Sequence, residues 1–142
     1  MPSPHPFIVH FPIALLSVAV LFEAIALFSK KDVLSHVGWW MQLSGTIGLL
    51  AAILSGVLAK ESLVVSEEAR LVLAAHEQLA FINGAAFGAL LLWRIGSRGG
   101  IPDQYRTLYI LVLVLAVGIL LTGAWYGGEL VYRFGIGGTG GQ

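Results

Sequence analysis

The chain has 142 residues, 57% of them hydrophobic and only 11% charged, and its eight basic and eight acidic side chains cancel formally. A soluble domain carries about a quarter charged residues, so this deficit and a mean hydropathy of +0.85 exclude an ordinary globular domain and place the chain in the membrane class. Neutrality gives no reason to expect nucleic-acid binding, and the lack of cysteine excludes disulfides, iron–sulfur clusters, thiolate zinc sites and covalent c-type haem.

The first apolar run predicts a helix over about residues 7–29. No basic residue precedes it and it lacks a small-residue cleavage pattern, so it reads as a retained helix and not a removed leader. Pro12 falls in its first turns, where a missing amide hydrogen costs least. Glu23 is its one internal charge, and a glutamate that snorkels or hydrogen-bonds near the following basic loop is expected there, ahead of a proton-handling role.

After Lys30-Lys31-Asp32 a second helix is predicted over about 37–59, with Ser44, Gly48, Ala52 and Gly56 at every fourth position. Such a small-residue stripe admits a neighbouring backbone. Residues 60–70 hold much of the acidic charge and read as an interfacial connection. A third helix is expected over about 71–95, with His76 near its start and Gly84 and Gly88 in GxxxG spacing. Residues 97–104, with Gly99, Gly100 and Pro102, read as a turn. A fourth helix follows over about 105–126, with the second GxxxG pair in Gly123 and Gly127.

Each run reaches the roughly 20 residues that cross a bilayer core, and no alternating strand pattern appears. The fold class is therefore all-α: an integral-membrane, four-helix, up-down bundle over residues 1–133, followed by a glycine-rich tail, 134–142, expected to be extended or disordered. An even number of spans puts both termini on one side. Lys30, Lys31, Arg94, Arg98 and Arg106 at one end outnumber Lys60, Arg70 and Arg133 at the other. Five against three predicts the termini outside the cytoplasm.

Alternation of the helices gathers His5, His10, Glu61, His76, Glu77, Trp125, Tyr126, Glu129 and Tyr132 at one membrane face, with His36 alone at the other. His10 and His76 lie at matching depth, each about one turn inside its helix. Two such imidazoles are the axial ligands that a b-type haem requires, and Gly127 and Gly128 at that level would let a flat macrocycle approach. The same histidines with Glu129 or Glu77 would instead suit a zinc, copper or iron ion. Against both stands the plain reading: boundary histidines bridge backbone and headgroups, as Trp125 and Tyr126 do in an aromatic belt, and glycine pairs serve packing.

The opening segment His5-Pro6-Phe7-Ile8-Val9-His10-Phe11-Pro12 and the closing segment Gly127-Gly128-Glu129-Leu130-Val131-Tyr132-Arg133-Phe134-Gly135-Ile136-Gly137, with His76 between, resemble the paired motifs of a bacterial family of predicted membrane proteins, DUF2231. The resemblance covers essentially the whole chain. It implies a four-helix membrane fold and no settled activity. Some relatives join a similar segment to Rieske-type or c-type cytochrome domains, which implies electron transfer outside the cytoplasmic membrane by association only.

The functional expectation is a small redox subunit of the bacterial inner membrane holding haem b between His10 and His76, with His5, Tyr132 and Glu129 around it. Its expected partners are the lipid bilayer, a sister copy or a respiratory-type complex, and an extracytoplasmic redox protein. The alternatives are a non-haem metal site on the same residues and a structural subunit with no cofactor. No nucleophile–base pair, phosphate loop or paired-carboxylate arrangement argues for a hydrolase.

Overall fold

Pro12 shapes the entry of the chain into the bundle. It cannot donate to the Ile8 carbonyl and its ring crowds that oxygen, so the first span is two helices, α1 (His5–Ile8) and α2 (His10–Ser29), with Val9 between them. The next bond across the break, from the Ile13 amide to the Val9 carbonyl, is stretched to 3.4 Å. Helix therefore begins before Phe7, and Pro12 interrupts its hydrogen-bond ladder where a harmless first-turn position was expected. In this computed structural model residues 4–61, 63–98 and 100–137 are described; Gly99 of the predicted turn and residues 138–142 of the predicted tail lie outside them.

The remaining helices are α3 (Asp32–Lys60), α4 (Glu67–Gly96) and α5 (Asp103–Tyr132). All exceed their predicted lengths, for local reasons. At the start of α4 the Ser66 hydroxyl accepts the Ala69 amide at 3.3 Å, with Glu67 and Glu68 in the first turn. That is an N-cap with acids at the positive end of the helix dipole, so half of the expected interfacial connection is helix. Lys30 takes the left-handed conformation, φ 53°, and its amide closes on the Ala26 carbonyl. The chain thus reverses in two residues, Lys30 and Lys31.

The four spans, counting α1 and α2 as one, are each long and apolar enough to cross a membrane, and the described residues contain no strand. Helix α2 packs most closely along α3 and α4 along α5; α2–α5 and α3–α4 contacts close the ring. The result is an up-down bundle with the first and last described residues at one face. Its interior holds Leu16, Leu49, Phe87, Tyr109, Leu113 and Leu120. Leucines and isoleucines such as Leu21, Ile47, Leu54, Leu111 and Leu115 point outward, as a lipid-facing surface requires.

Lipid gives two helices no hydrophobic reason to associate, so close backbone approach carries much of the packing. The tightest row is Gly38, Gly45 and Ala52 on α3, seven residues apart. A Cβ on Gly45 would stand 2.7 Å from Leu16, and one on Gly38 would stand 2.6 Å from Glu23. Of the predicted stripe, Gly48 faces Phe11 and Gly56 faces His5, while Ser44 is exposed. Gly84 is close to Ile53, but a Cβ on Gly88 would meet nothing within 4 Å. That GxxxG spacing therefore has one packing glycine. The seven-residue row matches the left-handed crossing of bundle helices, a period that a search for GxxxG passes over.

The closing segment does not simply trail away. After Tyr132, Gly135 at φ 68° turns the chain, the Ile136 amide returns to the Leu130 carbonyl at 2.8 Å, and Gly137 sits against Pro6. The first part of the predicted tail is thus folded onto the opening segment.

Candidate functional site

The chain-termini end of the bundle opens into a cavity of about 1070 Å³, lined by residues from every helix. Pockets for small molecules and cofactors fall in the range of roughly 300–1,000 Å³, so this one has room for a cofactor. His5, His10, His76, Gly127, Gly128 and Tyr132 all line it. Glu129 stands beside it, with its carboxylate 3.6 Å from the Arg133 guanidinium.

The imidazole that meets His76 is that of His5: their ring centres are 6.1 Å apart and their planes are inclined at 76°. Each ring is held by its Nδ1. That of His76 lies 2.8 Å from the Gly123 carbonyl, which can only accept, so the nitrogen donates. That of His5 lies 3.0 Å from Ser55 Oγ, whose own hydrogen goes to the Ala52 carbonyl, so His5 Nδ1 is again the donor. In the neutral form of each ring the lone pair is then on Nε2; His5 also bonds to the Ala52 backbone. This fixing of tautomer and orientation by a second hydrogen bond is what metal-ligating histidines have. Glycines stand against the nitrogen-bearing ends of the rings: a Cβ on Gly56 would come within 2.9 Å of His5 Cε1, and one on Gly127 within 3.1 Å of His76 Cε1.

His10, the expected partner of His76, is exposed, and its Nδ1 is 2.7 Å from the Pro6 carbonyl one turn back. It lines the cavity without taking part in the His5–His76 ring contact. Gly128, unlike Gly127, backs no imidazole; the nearest side chain to it is that of Tyr132. Trp125 and Tyr126 pack edge to face on the outside. Among the described residues, no three His, Cys, Asp or Glu side chains gather as a metal-ion site.

The opposite end holds a second polar centre. Glu23 is 2% exposed, not snorkelling, and forms an ion pair with Arg94, 1% exposed. Arg94 Nη2 donates to the Ser35 carbonyl at 2.7 Å, and the Ser35 hydroxyl donates to Glu23 at 3.1 Å. The Tyr109 hydroxyl donates to Gln42 Oε1, which also faces Arg94 Nη1 at 3.4 Å. The guanidinium lies over the Trp39 ring, 5.4 Å from its centre. All four spans contribute, and a cleft of about 270 Å³, lined also by Asp32, His36, Asp103 and Arg106, reaches this pair. His36 itself is exposed and accepts the Trp40 indole hydrogen at 3.2 Å.

Sequence reasoning counted Arg94 among the loop cations because it is two residues from the end of α4. Its burial removes it from that role and leaves the basic residues at four against three. The signal that would have found the network is a set of polar residues, Glu23, Gln42 and Tyr109, inside apolar runs at about the depth of Arg94. Isolated polar residues in a span are expensive and expected to find one another.

No curated protein and no solved structure matches the chain. The family model for predicted membrane proteins, DUF2231, matches residues 3–140. The two motif segments that carried the resemblance are those that meet at the mouth of the cavity, Pro6 against Gly137. With nearly its whole length covered, the chain belongs to the DUF2231 family of predicted membrane proteins.

Proposed function

We propose that this protein is a multi-pass redox subunit of the bacterial cytoplasmic membrane whose cavity holds a b-type haem between His5 and His76. The observation that carries the reading is the 6.1 Å separation of the two ring centres. Two imidazoles on opposite sides of one metal ion, each nitrogen about 2 Å from it, have ring centres roughly 6 Å apart. The donor chemistry fits as well: two imidazoles with Nδ1 engaged, a glycine close against each ring, and a largely apolar cavity of sufficient volume. A haem would supply one-electron transfer there. The chain's own part is to hold its iron through His5 and His76, to fix those rings through Ser55 and the Gly123 carbonyl, and to exclude water with apolar walls that tune the potential.

This reading moves the first ligand from His10 to His5. A bare zinc, copper or iron ion is the weaker alternative because it needs a third protein ligand, and of the two carboxylates considered Glu129 faces Arg133 and Glu77 pairs with Lys60. The four-against-three excess of basic residues supports a histidine end that faces outward, where an extracytoplasmic redox protein would exchange electrons with it.

The test is the absorption spectrum of protein purified from haem-replete cells. A low-spin b-type Soret band is expected, abolished or turned high-spin in His5→Ala and in His76→Ala, and retained in His10→Ala and His36→Ala. A band that survives both of the first two substitutions would overturn the ligand assignment. Protein with neither Soret absorbance nor stoichiometric metal would overturn the redox reading.

A further inference from the structure

Asn83 is a polar side chain in an apolar region of the bundle, seven residues beyond His76 on the same helix and thus about 10 Å deeper. It is 1% exposed. Its Nδ2 is 3.0 Å from the Leu79 carbonyl, which can only accept, so the orientation of the amide is fixed. The end left over is Oδ1, and it has no hydrogen-bond partner among the described residues. Asn83 is among the residues that line the cavity, as are the apolar Ile13, Leu49, Ile53 and Leu120.

An unpaired buried acceptor costs more than the single bond to Leu79 returns, so leucine would be the more stabilising residue at position 83. A polar group kept at such a place within a membrane span marks function. The unpaired atom is an acceptor, so an occupant that reaches it brings a hydrogen; the wall includes Ile13, Leu49, Ile53 and Leu120, so the rest of the occupant is apolar.

We infer that the inner end of the cavity binds the hydroxyl group of an apolar, membrane-soluble phenol or alcohol, with Asn83 Oδ1 as the acceptor. This site is distinct from the histidine pair and stands whether or not His5 and His76 hold a metal.

The test uses para-butylphenol and its methyl ether, which share a shape but differ in the hydroxyl hydrogen, titrated calorimetrically into the full-length protein in detergent. The variants are Asn83→Thr and Asn83→Val, equal in shape. In the Thr protein the new hydroxyl donates to the carbonyl four residues back, as Thr46 and Thr122 do, and keeps a lone pair for a ligand. The parent and the Thr protein are expected to bind the phenol roughly tenfold more tightly than the ether, the worth of one net hydrogen bond. The Val protein is expected to lose that preference, and partition into detergent cancels between the two variants. Equal binding of phenol and ether by the parent would mean that a buried water satisfies Oδ1 and would overturn the inference. So would a preference that persists in the Val protein. Haem absorbance is read on the same samples, so failure of either assignment shows separately from the other.

Discussion

At the loop end of the bundle four spans close on one another through charge, with Glu23, Ser35, Gln42, Arg94 and Tyr109 bonded into one buried network. At the termini end the same four spans stand apart around a cavity of about 1070 Å³, and polar groups at its margin pair in partly exposed positions, Lys60 with Glu77 and Arg133 with Glu68. Lipid supplies no hydrophobic force to hold helices together, so packing and polar bonds must. A bundle clasped at one end can leave the other end open. The clasp therefore carries packing that the open end does not, and each end keeps one unpaired buried atom among the described residues, Gln42 Nε2 in the network and Asn83 Oδ1 by the cavity.

The sharpest way to break this comparison is to remove half of the clasp. Glu23→Leu or Arg94→Met alone leaves the other charge buried without its counterion, which typically costs about 3–5 kcal/mol. The double substitution removes both charges and should recover most of that loss, since a buried ion pair and an apolar pair of similar volume are often equivalent. Thermal unfolding in detergent measures all three proteins. A double variant no more stable than either single one would mean that the polar bonds, and not the charge balance, hold the four spans together.

A smaller effect is expected from the glycine row that lets α2 and α3 approach. A Cβ on Gly45 meets Leu16 at 2.7 Å and one on Gly38 meets Glu23 at 2.6 Å, so alanine at either position overpacks the contact by about 1–3 kcal/mol. Gly88→Ala, with open space beside it, should leave the melting temperature unchanged. If Gly88→Ala costs as much as Gly45→Ala, the expected GxxxG contact exists in the folded protein after all and the seven-residue row is not the deciding one.

How far the sequence carries can be seen in individual residues. The four spans were legible because a bilayer demands long apolar runs, and the gathering of His5, His10, His76 and the closing motif at one face followed from alternation alone. Which histidine meets His76 was not legible. Depth favoured His10 as the match for His76, but five residues turn a helix by roughly 140°, so His5 and His10 face different ways. Only the packed structure tells which ring points inward. Arg94 was misread for a related reason: its place in the chain resembles that of a loop cation, and its burial depends on Glu23, 71 residues away. Asn83 carried no expectation from the sequence, because the absence of a partner for its Oδ1 is a property of its surroundings.

The smallest expected effect probes the open end directly. Lys60 and Glu77 form an ion pair 2.5 Å long at the cavity, with side chains 49% and 30% exposed. Water screens such a pair and its long side chains lose entropy in holding one geometry, so it is worth less than about 1 kcal/mol. Lys60→Ala should therefore lower stability only slightly, and the difference from the parent should shrink as salt is raised. The Glu23–Arg94 pair, shielded from solvent, should show little salt dependence in the same titration. Equal salt sensitivity at the two ends would mean that ions reach the buried pair through the cleft beside Asp32 and Arg106, and that the loop end is less closed than its hydrogen bonds imply.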